Sequence, residues 1–269
     1  MQSHTIEKTG SSGRTIAFRV LTGLFAIGSL IGLFGIGLIV GWIDTEEGKI
    51  HRVHDIGFGV LAGAIMTVGF LAQLRHPERK VSALYQVVAA GVAGLIGGLM
   101  ASDVSFGMFF LVLAVLSVGI LLLLHPARAE LRRQRARVSS VLAGLAALGA
   151  IPLVWLALTM ARFQRDGLPT DPHVKESHWT LMAAMAIAIV LVAFLASARL
   201  PGWRITAWSA GAGAFFYGLA SAVFATFPGT DSPYAGSKGT GWGIVAMAGG
   251  LLFIAVAEWE VRKPGAEAG

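Results

Sequence analysis

The run SFGMFFLVLAVLSVGILLLL, from Ser105 to Leu124, decides the fold class. It carries no charge and is flanked by Asp103 on one side and His125-Pro126-Ala127-Arg128 on the other. At about 1.5 Å of rise per residue, a helix of this length spans about 30 Å, the hydrocarbon core of a bilayer. Reading outward for similar runs between charges gives eight segments, at 17–43, 56–74, 81–101, 105–124, 139–161, 179–198, 205–227 and 241–258. The expected fold is therefore all-α, a polytopic transmembrane bundle of about eight helices. Pro152 lies inside the fifth segment, where neighbouring helices can satisfy the backbone group it frees, so a kink is expected rather than a break.

Composition agrees. The chain is 55% hydrophobic and 13% charged, with a mean hydropathy of +0.71. That leaves too little polar surface for a soluble domain of 269 residues. The absence of cysteine excludes disulfides, thiolate metal sites, iron–sulfur clusters and cysteine nucleophiles. Phosphate loops, dinucleotide fingerprints and nucleophile elbows are missing too.

The net charge of +6 is distributed as a membrane topology signal and not as a nucleic-acid surface. With the N-terminus inside, the inner segments hold 15 of the 21 Lys and Arg residues and the outer segments hold 6. The positive-inside rule then places both termini in the cytoplasm. Residues 1–16, polar and rich in Ser and Thr, read as a disordered cytoplasmic arm, 17–260 as one transmembrane domain and 261–269 as a tail. The run from Ile16 to Ile43 is too long for the apolar core of a signal peptide. Trp42, Trp179, Trp203, Trp242 and Trp259 fall near helix ends, as an interfacial belt would. The pairs Gly28/Gly32, Gly37/Gly41, Gly59/Gly63 and Gly94/Gly98 have the spacing that lets helix backbones approach closely.

A pattern repeats within the first half. Asp55-Ile-Gly-Phe58-Gly59 ends at His76-Pro77-Glu-Arg79, and Asp103-Val-Ser-Phe106-Gly107 ends at His125-Pro126-Ala-Arg128. Two copies of one helical hairpin are implied, with weaker echoes later, giving hairpins at about 17–74, 81–124, 139–198 and 205–258. Within each copy the aspartate suits a helix N-cap, and His76 and His125 suit the negative end of a helix, so these two histidines read as structural.

The remaining chemistry gathers on the expected outer side. Gly48-Lys-Ile-His51-Arg-Val-His54-Asp55 and Asp171-Pro-His173-Val-Lys-Glu176-Ser-His178-Trp179 hold four of the seven histidines. If the second helix already includes His51, then His51, His54 and Asp55 share one face. Imidazole with carboxylate suits divalent zinc, copper, iron or nickel, which makes His51, His54, Asp55, His173 and His178 candidate metal ligands. His54 and His178, from facing helices, have the chemistry of axial haem ligands. Asp55 also has the chemistry to orient a ligand ring from a second layer.

The stretch His54-Asp55-Ile56-Gly57-Phe58-Gly59 resembles the His-Glu-Met-x-Phe-Gly element of NnrS-type haem- and copper-associated membrane proteins, with Asp in place of Glu and Ile in place of Met. That resemblance implies haem or copper at His54. Taken whole, the chain resembles uncharacterised Ala/Gly-rich integral membrane proteins of high-GC Gram-positive bacteria, which implies a bacterial plasma membrane.

No ionisable residue lies near the middle of any expected helix. The interior polar residues are Ser29, Thr67, Gln86, Ser117, Ser209, Tyr217 and Ser221. Proton-coupled carriers keep an ionisable group at the midplane, so this argues against one. Three functional classes stay open. They are a haem or metal site protein, a cofactor-free channel, permease or lipid-handling protein, and an accessory subunit. The partners expected are the lipid bilayer and a second copy or membrane-complex partner, not nucleic acid.

Overall fold

A computed structural model describes residues 12–43, 51–126, 128–131, 136–225 and 236–262. The expected arm and tail lie mostly outside these residues. Every regular element among the described residues is helical. In chain order they are α1 (Ser12–Ile27), α2 (Gly37–Val40), α3 (Arg52–Phe58), α4 (Val68–Ala72), α5 (Val81–Ala101), α6 (Val104–Leu124), α7 (Arg128–Leu131), α8 (Ser140–Asp166), α9 (Pro172–Lys175), α10 (His178–Ser197), α11 (Trp203–Val223) and α12 (Thr240–Val261). A π-helical stretch follows α1 at Gly28–Gly32, and another joins α3 to α4 at Gly59–Thr67.

Seven spans among the described residues are long and apolar enough to cross a membrane: Gly13–Val40, Arg52–Ala72, α5, α6, α8, α10 and α12. The eighth expected segment is α11, as long as α5 at 21 residues. Arg204, Thr206, Ser209, Ser221 and three glycines dilute its hydropathy. It is sheltered instead, packed against α12, α10 and the π-helical stretch of the second span. The helix α8 continues through Pro152.

The first span departs from the single helix expected over 17–43. The chain leaves helical geometry between Leu33 and Ile36 before α2 resumes. Glycines at 28, 32, 35 and 37 weaken the helix there, and contacts to the second span replace what is lost. A Cβ on Gly35 would stand 2.9 Å from the backbone nitrogen of Gly63, so the two backbones touch. Ser29 Oγ donates to the Ala62 carbonyl at 2.7 Å and lies 2.9 Å from Thr67 Oγ1. The small-residue reading holds for Gly37/Gly41, Gly59/Gly63 and Gly94/Gly98, which press on neighbouring segments. It fails for Gly28/Gly32, which meet nothing within 4 Å because they sit on the open side of the π-helical turn.

The helix α10 is the axis of the bundle. It is buried along nearly its whole length, with α8, α5, α11 and α3 around it. The first span, α6, α8 and α12 are far less buried and form the outer sheath.

The spans alternate in direction, so like ends meet. At one end Arg14 donates to the carbonyls of Leu123, Leu124 and His125 at 2.8–3.2 Å, capping α6. At the same end Ser139 Oγ donates to Glu260 Oε2 at 2.7 Å, and the Ser139 N–H donates to the Ser197 carbonyl at 2.8 Å. At the other end Thr180 Oγ1 donates to Asp103 Oδ2 at 3.0 Å, and the Tyr217 hydroxyl donates to the Gly236 carbonyl. The first end is the basic one, and the second carries His51, His54, His173 and His178.

Several of the interior polar residues are taken up in packing. Gln86 Nε2 donates to the Ile65 carbonyl at 2.7 Å and reaches Ser209 Oγ at 3.2 Å, while Ser117 Oγ donates to the Ala114 carbonyl at 3.1 Å. The Gln86 bonds hold helices together where water cannot satisfy polar groups, while the Ser117 bond stays within α6.

Candidate functional site: a histidine tetrad

His51 is the residue before α3, and His54 is the third residue within it. His173 belongs to the one-turn helix α9, which starts at Pro172 because Asp171 caps it, accepting from the His173 N–H at 2.9 Å. His178 opens α10. The second span thus supplies two rings, and the segment entering the axial helix supplies two more.

The four rings converge. A nitrogen from each lies within 4.8 Å of a nitrogen from every other. His173 lies 4.9 Å from His54 and 5.0 Å from His51 between ring centroids. His178 lies 5.1 Å from His51, 5.5 Å from His54 and 5.7 Å from His173, and the His51–His54 pair is 6.3 Å apart. Six such similar separations describe a tetrahedron of imidazoles.

Each ring brings a buried nitrogen without a partner among the described residues: Nδ1 of His51, both nitrogens of His54, Nε2 of His173 and Nδ1 of His178. For two rings the other nitrogen is engaged by a carboxylate. His173 Nδ1 is 2.9 Å from Asp171 Oδ1, and His178 Nε2 is 3.2 Å from Glu176 Oε2. A carboxylate partner favours the N–H on the nitrogen it touches and leaves the lone pair on the other, which is buried without a partner among the described residues. Burial, and then the charge that His173 would carry, push His51 below its ordinary value of 6.5, against an opposing pull from Glu176. Its ring is neutral at neutral pH, the form that ligates.

Three expectations need correcting. Asp55 is not among the converging ligands. Consecutive helical residues are about 100° apart around the axis, so residue 55 is turned that far from His54. It does not cap the helix either, and Asp103, though at the N-cap position of α6, makes no capping bond and accepts from Thr180 instead. Trp179 is not an interfacial anchor. Only 2% exposed, it packs edge-on to His54 at 4.8 Å and tilts against His173 at 5.3 Å, forming an apolar wall of the site. Of the structural pair, His76 faces Glu78 at 3.6 Å on the surface, whereas His125 is buried against Phe18 at 5.2 Å.

Sequence reading missed the supporting residues. Asp171 and Glu176 sit two residues from their histidines, and that spacing was the available signal. The second wall is Phe58, 5.7 Å from His178. It lies within the Phe-Gly part of the repeat.

Comparison with models of protein families, with characterised proteins and with solved structures finds no match. Fold and site by themselves define the class: a polytopic helical membrane protein with a buried histidine tetrad at one end of its bundle.

Proposed function

We propose that this protein is a membrane metalloprotein that holds one transition-metal ion between His51, His54, His173 and His178. The observation that carries the reading is the convergence of four imidazoles, with one nitrogen of each within 4.8 Å of the others and a buried, unpartnered nitrogen on every ring. Buried polar groups are ordinarily paired, and an unpaired one costs about 1–3 kcal/mol. Four facing one point make sense when a cation completes them. Tetrahedral coordination at about 2.0–2.1 Å puts ligand nitrogens about 3.3 Å apart, so the rings would close slightly on the ion. Asp171 and Glu176 would orient two of them and Trp179 would exclude water.

Haem is less well supported. A porphyrin between His54 and His178 needs a flat slot, and the rings of His51, His173 and Trp179 stand within 5.1 Å of one or other of these two. The permease alternative is weakened because Ser29, Gln86 and Ser209 are used in hydrogen bonds between spans. The site is proposed to face the outside of a bacterial plasma membrane, with both termini cytoplasmic, on the strength of the charge bias.

The test is elemental analysis and an absorption spectrum of the detergent-purified chain. One ion per chain without a Soret band is expected, with loss of the ion in a His54→Ala, His178→Ala double variant. A metal-free protein after exposure to zinc, copper, nickel and iron would overturn the reading.

A further inference from the structure

Immediately inward of the tetrad the lining changes from nitrogen to sulfur. Met182 stands four residues after His178 on α10, so its side chain leaves the same helix face one turn deeper. It is fully buried. A Cβ added at Gly57, three residues after His54 on α3, would collide with Met182 Sδ. From the far side, a Cβ at Gly236 would meet Met182 Cε at 3.2 Å and His54 Cδ2 at 3.4 Å. The thioether therefore bridges α3 and α10 directly beneath His54 and His178. Met185, also fully buried, follows, with its Cε 3.9 Å from the Gly57 position.

The charge pattern points the same way. All four converging ligands are imidazoles, which bring no negative charge, and the carboxylates of Asp171 and Glu176 engage ring nitrogens of His173 and His178. His54 and His178 lie in the first turn of their helices, where the backbone dipole opposes added positive charge. Desolvating a cation costs energy that rises with the square of its charge, so a buried site without an anionic ligand favours one charge over two. Thioether sulfur is a soft donor that selects monovalent copper over zinc.

We propose that the metal taken by the tetrad is copper in the monovalent state, with Met182 as a sulfur donor on its inward side. This rests on the metal-binding reading above. The test is an anaerobic titration of the full-length, detergent-purified protein with Cu(I) buffered by a chromogenic Cu(I) chelator, alongside a Zn(II) titration, in wild type and Met182→Leu. Cu(I) should bind once per chain and about 100-fold more tightly than Zn(II). Met182→Leu should weaken Cu(I) about tenfold and leave Zn(II) unchanged, the latter also showing that the variant is folded. Copper-edge X-ray absorption should show a sulfur neighbour that the variant loses. Zn(II) held as tightly as Cu(I) would overturn the monovalent assignment while leaving the metal site standing. Tight Cu(I) binding untouched by Met182→Leu would overturn the sulfur ligand. Failure to bind either ion would overturn both readings.

Discussion

Asp171 holds His173 twice: one carboxylate oxygen, Oδ1, accepts from the backbone N–H and lies 2.9 Å from the ring Nδ1. The ring of His173 is thereby fixed in rotation and in tautomer, which leaves Nε2 buried without a partner among the described residues. Carboxylates behind a ligand histidine change metal affinity by about 10–100-fold. Asp171→Ala is expected to weaken Zn(II) binding by that factor, measured by competition with a chelator. Asp171→Asn, which can still cap α9 and accept a bond, should recover most of it. Equal affinity in all three proteins would remove Asp171 from the site.

His54 tests the cost of the empty tetrad. Its ring is wholly buried, and neither nitrogen has a partner among the described residues. Leaving such a group unsatisfied costs about 1–3 kcal/mol. With metal stripped by a chelator, His54→Leu should therefore unfold at a higher temperature than wild type. With metal added the order should reverse, because only wild type gains binding energy. A His54→Leu protein less stable than wild type in the stripped state would mean that His54 serves packing alone.

The lowered pKa of His51 sets the pH response. The folded state keeps this ring neutral where the unfolded chain would protonate it, below the ordinary 6.5. Stability from this group is thus complete above 6.5 and is lost as pH falls toward the lower folded value. Metal binding requires the same neutral ring and should share that window. Zn(II) occupancy, followed by equilibrium dialysis in detergent, should stay level from neutral pH down to 6.5 and fall below it. Occupancy already half lost at 6.5 would contradict a buried, neutral His51.

The opposite end offers a control. Glu260, 3% exposed, accepts from Ser139 Oγ at 2.7 Å and lies 3.5 Å from Arg199 Nη1, tying α8, α10 and α12 together. Removing one member of a buried pair costs about 3–5 kcal/mol, and the partial exposure of Arg199 puts this case at the lower bound. Glu260→Ala should lower the thermal midpoint clearly and leave metal stoichiometry in the folded protein at the wild-type value. A change in stoichiometry would show that the two ends are coupled.

Hydropathy made the spans legible because burial in lipid imposes one long apolar run per crossing, and Ser105–Leu124 could form nothing else. The candidate site was legible in part. His51, His54, His173 and His178 stood out because a bilayer-sized apolar chain has few other metal ligands. Asp55 misled because its i+4 relation to His51 is kept, with the Asp55 N–H donating to the His51 carbonyl at 2.8 Å, without bringing its carboxylate to the four rings. The contribution of Trp179 was hidden because an interfacial tryptophan and a buried one look alike in sequence. The break after Gly32 had its signal in clustered glycines, but only the fit of Gly35 to Gly63 shows what it gains.

The tetrad is drawn from two distant parts of the chain, residues 51–54 and 173–178, on either side of the basic connection between α6 and α8. Neither the first four spans nor the last four own a complete coordination sphere. Occupancy would thus certify assembly: the two halves must dock correctly within the bilayer before an ion finds all its ligands. Once seated, the ion would close the circuit between them as a cross-link does, in a protein that has no cysteine to make one.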